Sequence, residues 1–368
     1  MKKLLIYWFL IFISGLHLFP IDILKKEEIL LQQDKILIQR AMSFCVQKGD
    51  RFFLVDFKAK DIKLFDKNGK FVEIWGKQGY GPLEFGKPLI IDYREPYLAV
   101  MDLGKRKFMV YSDEKNPNFS LVTEFMQPGM GSDLRVMGHN LLISGSKTDN
   151  SGNPFQLYLF NYLSAKIDLL IPIEEKFGYE SFRKFKSAYE TQVKALLDDG
   201  FCDIYNDYVY YAWTGDIRVI RIDLRDKKKL VFGHKSSNFI KQNMTKSLVE
   251  KYAIGSTKLY QEYRKFSFLT GVFADEHIVG VLYCNYHEQK PGWQYYIQFY
   301  TPDGNFIEEE ELPGAINNDD YPLKAFYYDQ KDHILYFLAQ TIDKDLNDIY
   351  RIIKYTFKVP GQTSVTAK

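Results

Sequence analysis

The stretch FDKNGKFVEIWGKQGYGPLEF, residues 65–85, carries Gly69, Gly76, Gly79 and Gly81 beside Pro82, a composition that could cradle a phosphate on backbone N–H groups. A dinucleotide site needs G-x-G-x-x-G between a parallel strand and a helix, and a P-loop needs Gly-Lys-Ser/Thr. Here the glycines follow an alternating strand and precede Pro82 and another strand, so they read as turn residues. The segment DKDLND, residues 343–348, spaces Asp343, Asp345 and Asn347 as a calcium loop begins. It lacks the glycine at the sixth position and places Lys354 where the twelfth ligand belongs. The NNDD cluster at residues 317–320 reads likewise as a solvated loop. No histidine pair has HExxH spacing. Cys45, Cys202 and Cys284 lie far apart, each in or beside an apolar segment, and read as small core residues. ISGSK, residues 143–147, comes nearest to a nucleophile elbow, but no helix follows it. No catalytic residue and no metal ligand is assigned on these patterns.

These segments must be positioned by something, and composition narrows what. The chain has 368 residues with 27 Tyr and 29 Phe, a supply of aromatics that suits strands better than helices. Its formal net charge is +2, and Lys2 and Lys3 sit in an acid-free leader. The remainder is close to neutral, which leaves no global footprint for nucleic acid or an anionic membrane. The leader runs apolar from Leu4 to Phe19 and stops at Pro20. That is short for a bilayer span of about 20 residues and suits a secretory signal. Export to the periplasm or cell surface is expected. No small-x-small cleavage site precedes residue 22, so an uncleaved N-terminal anchor is the alternative, and the only membrane contact expected.

Internal repeats dominate the rest of the chain. FFLVD (52–56), YLAVMD (97–102), NLLISG (140–145), YVYYAW (208–213), IVGVLY (278–283) and ILYFLA (334–339) mark six units. Each precedes a second alternating strand, and Asn-Gly and Asp-Gly pairs close hairpins in DKNGKF and PDGNF. The spacing starts at about 45 residues, as for four-stranded propeller blades. It widens where Phe182, Phe185, Tyr189, Val193 and Leu196, and then Phe239, Ile240, Met244, Leu248 and Tyr252, recur at helical steps. The expected fold is all-β: a six-bladed β-propeller over residues 22–360 with helical insertions between blades at about 177–200 and 236–266. A leader occupies 1–21 and a disordered tail 361–368. EEILLQQDKILIQ should close the ring as the outer strand of the last blade, since an open ring would expose strand edges.

RFFLVDFKAKDIKLFDKNGKFVEIWGKQGYGPLEFGKP, with its V-D strand end, I-x-x-F-D-x-x-G-x-F hairpin and G-x-x-G-x-G-P-x-E-F link, resembles an NHL-type repeat of six-bladed β-propellers. It is similar also to exported bacterial propellers whose blades carry the G-x-G-P-x-E-F link. LAVMDLGKRKFMVYS matches in part, and the other units in pattern alone. The resemblance implies the fold; function must come from the site. Lactonase-type six-bladed enzymes line their axis with Glu, Asn and Asp around calcium, and no residue here matches that set.

Propeller topology places the turns between second and third strands on the face that also carries the inter-blade links, with short hairpins such as DKNG and PDG opposite. Both insertions, and the loops DLGKRK, SKTDNSGNP, YCNYHEQKPGW and TIDKDLND, should therefore share one face around the channel mouth, where function concentrates. The candidate binding contacts there are Tyr80, Lys105, Arg106, Trp213, His287 and Trp293. The expected function is that of an exported, non-catalytic binding module for a protein, small-molecule or glycan partner, with no cofactor and no nucleic acid. The alternative is a calcium-dependent propeller hydrolase of the lactonase class.

Overall fold

The structure, a computed structural model, describes residues 21–81, 83–115, 118–127, 130–172, 200–241, 261–262, 264–288, 292–318, 326–345 and 347–358. Nearly all regular structure among them is β-strand. In chain order, β1 is Asp22–Leu30; β2 Ala41–Gln47, β3 Arg51–Asp56, β4 Asp61–Phe65, β5 Phe71–Gln78 and β6 Glu84–Phe85 build blade 1. Blade 2 holds β7 Pro88–Arg94, β8 Tyr97–Asp102, β9 Lys107–Ser112 and β10 Ser120–Met126, and blade 3 β11 Met130–Met137, β12 Asn140–Thr148, β13 Pro154–Asn161 and β14 Lys166–Pro172. Blade 4 holds β15 Gly200–Tyr205, β16 Tyr208–Trp213, β17 Val219–Asp223 and β18 Lys229–Phe232. Blade 5 is β19 Phe268–Ala274, β20 Val279–Tyr286, β21 Trp293–Tyr300 and β22 Phe306–Asn317. Blade 6 joins β23 Phe326–Asp329, β24 Ile334–Ile342 and β25 Asp348–Lys358 to β1.

The ring closes as the apolar pattern of the N-terminal segment requires. β1 runs antiparallel to β25, from Asp22 opposite Lys358 to Leu30 opposite Arg351. The strand starts earlier than the segment read from sequence, and Leu31–Gln39 continue as the link into blade 1. Ile21, which the sequence assigns to the leader, is 3% exposed, and its N–H donates to Glu308. Residues 1–20 and 361–368 lie outside the described residues.

The core is a succession of layers between blades. Phe53, Leu64 and Trp75 of blade 1 pack on Leu98, Tyr111 and Phe119 of blade 2. Trp75 meets Tyr111 edge-on at 5.1 Å, and its Nε1–H donates to Asn118 O at 3.4 Å. Corresponding layers lie between each later pair of blades. The strands read as continuous apolar runs because both faces are buried, at about 1.5–3 kcal/mol per large side chain.

The glycine stretch has a mechanical role. Gly69, at φ +74°, makes the β4–β5 hairpin. Gly76 lies against the fully buried Phe85, where an added Cβ would overlap the ring. Gly76→Ala should therefore destabilise the fold by about 1–3 kcal/mol through overpacking, read as a lower urea midpoint. A midpoint unchanged from wild type would show that the Phe85 ring can move aside at no cost. Glu84 folds back so that Gly81 N–H donates to its Oε2 at 2.8 Å.

The DKNG and PDG hairpins, expected on the face opposite the links, join the third and fourth strands of blades 1 and 5 and also pack against the neighbouring blade. Gln32 N–H donates to Gly69 O at 2.8 Å, and Gly304 abuts the Phe232 ring. Each hairpin is thus seated at the rim against the outer-strand end of the preceding blade. The first insertion, about 177–200, lies outside the described residues except at Gly200, which begins β15. Of the second, residues 236–241 carry no regular element. Ile240 and Ser267 hold its two ends together, through Ile240 N–H to Ser267 Oγ at 2.7 Å and Ser267 N–H to Ile240 O at 2.9 Å.

Candidate functional site

Three places could do chemistry: the channel axis, the mouth on the face of the links, and the mouth on the face of the first-to-second strand hairpins. The axis is lined by β2, β7, β11, β15, β19 and β23, one inner strand per blade. Inner strands of neighbouring blades splay apart and leave backbone donors needing acceptors. Side chains supply them in sequence around the ring. Ile91 N–H donates to Ser43 Oγ at 3.3 Å, Val136 N–H to Asp92 Oδ2 at 2.8 Å, Cys202 N–H to Asp133 Oδ2 at 3.0 Å and Ala274 N–H to Asp203 Oδ2 at 2.8 Å.

Two arginines answer these carboxylates. Arg94 crosses the axis to Asp203 and donates from Nη1 to Ile204 O at 2.6 Å and Gln330 Oε1 at 3.0 Å. Gln330 Nε2 donates to Ile204 O and Ala274 O at 2.9 and 2.8 Å. Blades 2, 4, 5 and 6 are tied in one knot across the channel. Arg135 Nη1 donates to Asp133 Oδ1 at 3.0 Å, and its Nε lies 3.7 Å from Asp203 Oδ1. Burial works against the Arg135 cation, but Asp133, Asp92 and Asp203 outweigh it and hold its pKa above the ordinary arginine value. Burial pushes Asp92 up, with Arg135 and Arg94 pulling the other way. Beside them is an axial cavity of about 30 Å³. It is lined in part by Thr270, whose buried hydroxyl has no protein partner, and that is space for about one or two waters.

This donor set does not fit calcium. The axial carboxylates are engaged by guanidinium groups and backbone N–H donors, and a dication beside Arg94 and Arg135 would be repelled. Among the described residues no three His, Cys, Asp or Glu side chains converge on a common point as metal ligands. In the calcium-like segment, Asp343 Oδ1 accepts from the N–H groups of Asp345 and Asn347, both at 2.8 Å, so its carboxylate serves its own turn. Cys45, Cys202 and Cys284 are free and fully buried, and burial raises the Cys45 and Cys284 thiols well above their ordinary value.

On the link face the structure brings Tyr80, Lys105 and Arg106 together. Asp102, at the end of β8, accepts from the N–H groups of Gly86, Lys87 and Lys105 at 2.6, 2.8 and 2.9 Å, which fastens the blade 1–2 link to the β8–β9 turn. Asp56 does the same for the preceding link through Gln39, Arg40 and Ala59 at 2.7, 3.0 and 3.1 Å. That is the work of the V-D motif. Lys105 Nζ then donates to Gly81 O at 3.1 Å. Tyr80, on the same link, is 86% exposed. Arg40, Lys58, Lys60, Lys77 and Lys87 belong to the same links and turns, and Lys87 Nζ stands 4.3 Å over the Phe57 ring. The anions beneath are either buried, as Asp56 and Asp102 are, or occupied, as Glu84 is by Gly81 and Lys77. The corner is rich in Lys and Arg, and its link carries the exposed Tyr80.

The other candidates are placed differently. Trp213 and Trp293 are 3% and 1% exposed, packed in the core layers where Trp293 meets Phe268 edge-on at 5.3 Å. Both are enclosed by their own blades, and neither lines the axial cavity. His287 is half-buried on the blade 5 turn, its Nε2 3.3 Å from Tyr296 Oη, apart from the basic corner. Sequence reasoning missed the axial set, although Asp92 and Asp203 each interrupt an apolar run two residues before the end of an inner strand, and Asp133 lies within β11. An acid inside an inner strand was the available signal.

Comparison with known proteins agrees with this geometry. Residues 22–320 match the sequence profile of DUF5128, described as a 6-bladed beta-propeller. A DUF4221 family member from Bacteroides vulgatus superposes with a TM-score of 0.57 at 10% identity, covering 92% of this chain and 99% of that one. A candidate exported protein from Bacteroides fragilis gives 0.55 at 16% identity, covering 90% and 94%. No curated protein sequence matches.

Proposed function

Because the chain belongs to the DUF5128 family of six-bladed β-propellers, we propose that it is an exported, non-catalytic binding module that engages an acidic protein partner at the blade 1–2 corner of the link face. The observation that carries this reading is that Lys105 Nζ reaches Gly81 O at 3.1 Å, beside a Tyr80 that is 86% exposed, with the exposed Arg106 next in the same turn. An exposed tyrosine flanked by Lys and Arg supplies apolar contact area and charge complementarity together. The NHL-type reading fits the shared work of Asp56 and Asp102. Export is supported by the leader pattern and by the fold it shares with the candidate exported protein of Bacteroides fragilis.

The test uses labelled poly-glutamate as probe, titrated against the whole exported chain at low and at physiological salt. Binding should weaken steeply with salt, and a Tyr80→Ala, Arg106→Glu double variant should bind about tenfold more weakly or worse. Lys105 is left in place because it holds the link. Equal binding by the variant, or equal binding to poly-lysine, would sink the assignment. N-terminal sequencing of the exported chain distinguishes a cleaved leader from a retained anchor.

A further inference from the structure

A cavity of about 230 Å³ opens on the opposite face, among the first-to-second strand hairpins of blades 1, 2 and 6. Arg94 is part of its lining and of the axial cavity's, and so stands between the two. The walls are held by their own partners. Tyr336 Oη donates to Asp50 Oδ1 at 2.7 Å, and Lys354 Nζ to Asp50 Oδ2 at 2.8 Å. Tyr93 Oη and Gln47 Nε2 both donate to Asp113 Oδ2, at 3.0 and 2.8 Å, and Tyr327 Oη donates to Tyr93 O at 2.8 Å. Such walls are fixed before any ligand arrives, which lowers the cost of binding.

Their charges are largely matched. Asp50 faces Lys354, Arg94 faces Asp203, Lys48 lies 3.5 Å from Glu95 at the rim, and Lys331 shares the blade 6 turn with Asp329 and Asp332. A charged ligand would need an unmatched counter-charge, and a purely apolar one would strip water from wall hydroxyls and carboxylates that keep free acceptor positions. The half-buried Tyr327 and the more deeply buried Tyr93, Tyr328 and Tyr336 line the cavity beside amide and carboxylate acceptors, which suits a molecule that is apolar on its ring faces and rich in hydroxyls at its edge. The volume corresponds to roughly seven or eight liquid waters, the scale of one sugar ring.

We propose that this cavity binds a neutral polyhydroxylated ligand of monosaccharide size. It is distinct from the basic corner, and the two fail independently.

Ligand-observed NMR and titration calorimetry on the full exported chain test it. The neutral probes are glucose, galactose, mannose and N-acetylglucosamine; the charged probes are glucuronate and glucosamine. At least one neutral sugar should bind, with its charged relative about tenfold weaker or worse. Lys331→Trp, at an exposed rim position, should block the mouth and weaken binding by about tenfold or more. Tyr336→Phe, which keeps the ring and leaves Asp50 with Lys354, should weaken it about threefold or more and lower the melting temperature only by the loss of one hydrogen bond. Tyr80→Ala should leave sugar binding unchanged. Absence of binding by every neutral sugar, equal binding of charged ones, or an unaffected Lys331→Trp variant would each overturn the proposal.

Discussion

Asp203→Ala should destabilise the propeller by about 3–5 kcal/mol, the range for removing one partner of a buried charge pair. Asp203 is 1% exposed and serves three groups: the Ala274 N–H, the Arg94 guanidinium across the axis, and Gln330 Nε2 at 3.2 Å. The alanine takes the acceptor from the Ala274 N–H and the carboxylate from Arg94 and Gln330. Most of the penalty comes from Arg94, which is left as a cation with only carbonyl and amide acceptors. Arg94→Met in the same chain should therefore recover part of the loss, and a double-mutant cycle would show strong coupling. Asp203→Asn keeps an acceptor for Ala274 and should fall between wild type and the alanine variant. Calorimetric melting of wild type, Asp203→Ala, Arg94→Met, the double variant and Asp203→Asn decides the matter, and melting temperatures indistinguishable from wild type would show that the cross-channel knot contributes nothing.

Lys63→Met carries the second large effect, and its size depends on pH. Lys63 is 1% exposed on β4 and bridges Asp56 at 2.8 Å and Asp61 at 2.6 Å. Methionine preserves volume, so what is lost is the cation between two buried carboxylates, again about 3–5 kcal/mol near neutral pH. Burial opposes ionisation of Asp56, but Lys63 and the Gln39 and Ala59 N–H groups outweigh it and lower its pKa below the ordinary 3.8. A lowered carboxylate stabilises fully above its unfolded pKa, and that contribution is lost as pH falls through the folded value. Asp61 shifts the other way: burial raises it despite Lys63. The two partners thus disagree, and Asp56 governs the linkage because it accepts from three backbone donors as well. Without Lys63 both carboxylates rise. The deficit of Lys63→Met should be largest near pH 7 and shrink toward about pH 4, where carboxylates take up protons. Urea midpoints at the two pH values give the answer; a pH-independent deficit would assign the loss to packing.

The second and third strands of every blade were legible as recurring apolar runs, and Asn-Gly and Asp-Gly marked the hairpins that follow the third strands of blades 1 and 5. β1 was legible in part: the need to close the ring pointed to the N-terminal segment, but only Glu27–Leu30 of the strand fall in the stretch read from sequence. Most of the inner strands were not. In GFCDIY and PLIIDYR an acid sits inside a buried run, and nothing local says that it will meet an arginine from another blade. The contacts of Arg94 are set by the ring as a whole, since Asp203 and Gln330 come from blades 4 and 6. At the corner, Tyr80 and Arg106 were visible as loop residues, and the role of Lys105 in holding Gly81 was not. Trp213 and Trp293 illustrate the reverse case: an aromatic near a strand end carries the same letter whether it faces solvent or its own blade.

The pairing of β1 with β25 also sets an order of events. Asp22 finds its partner at Lys358 and Leu30 at Arg351, so β1 is made ahead of the other described strands and is matched only by the last of them. Until the final strand arrives, β1 has no ladder and the sixth blade has no outer edge. A closure of such high contact order slows folding and lengthens exposure of the unpaired edge. For a chain that crosses a membrane N-terminus first, the ring can be completed only after its C-terminal strand has followed. The same strand that seals the finished propeller keeps the nascent one open, and so compatible with passage as an unfolded thread.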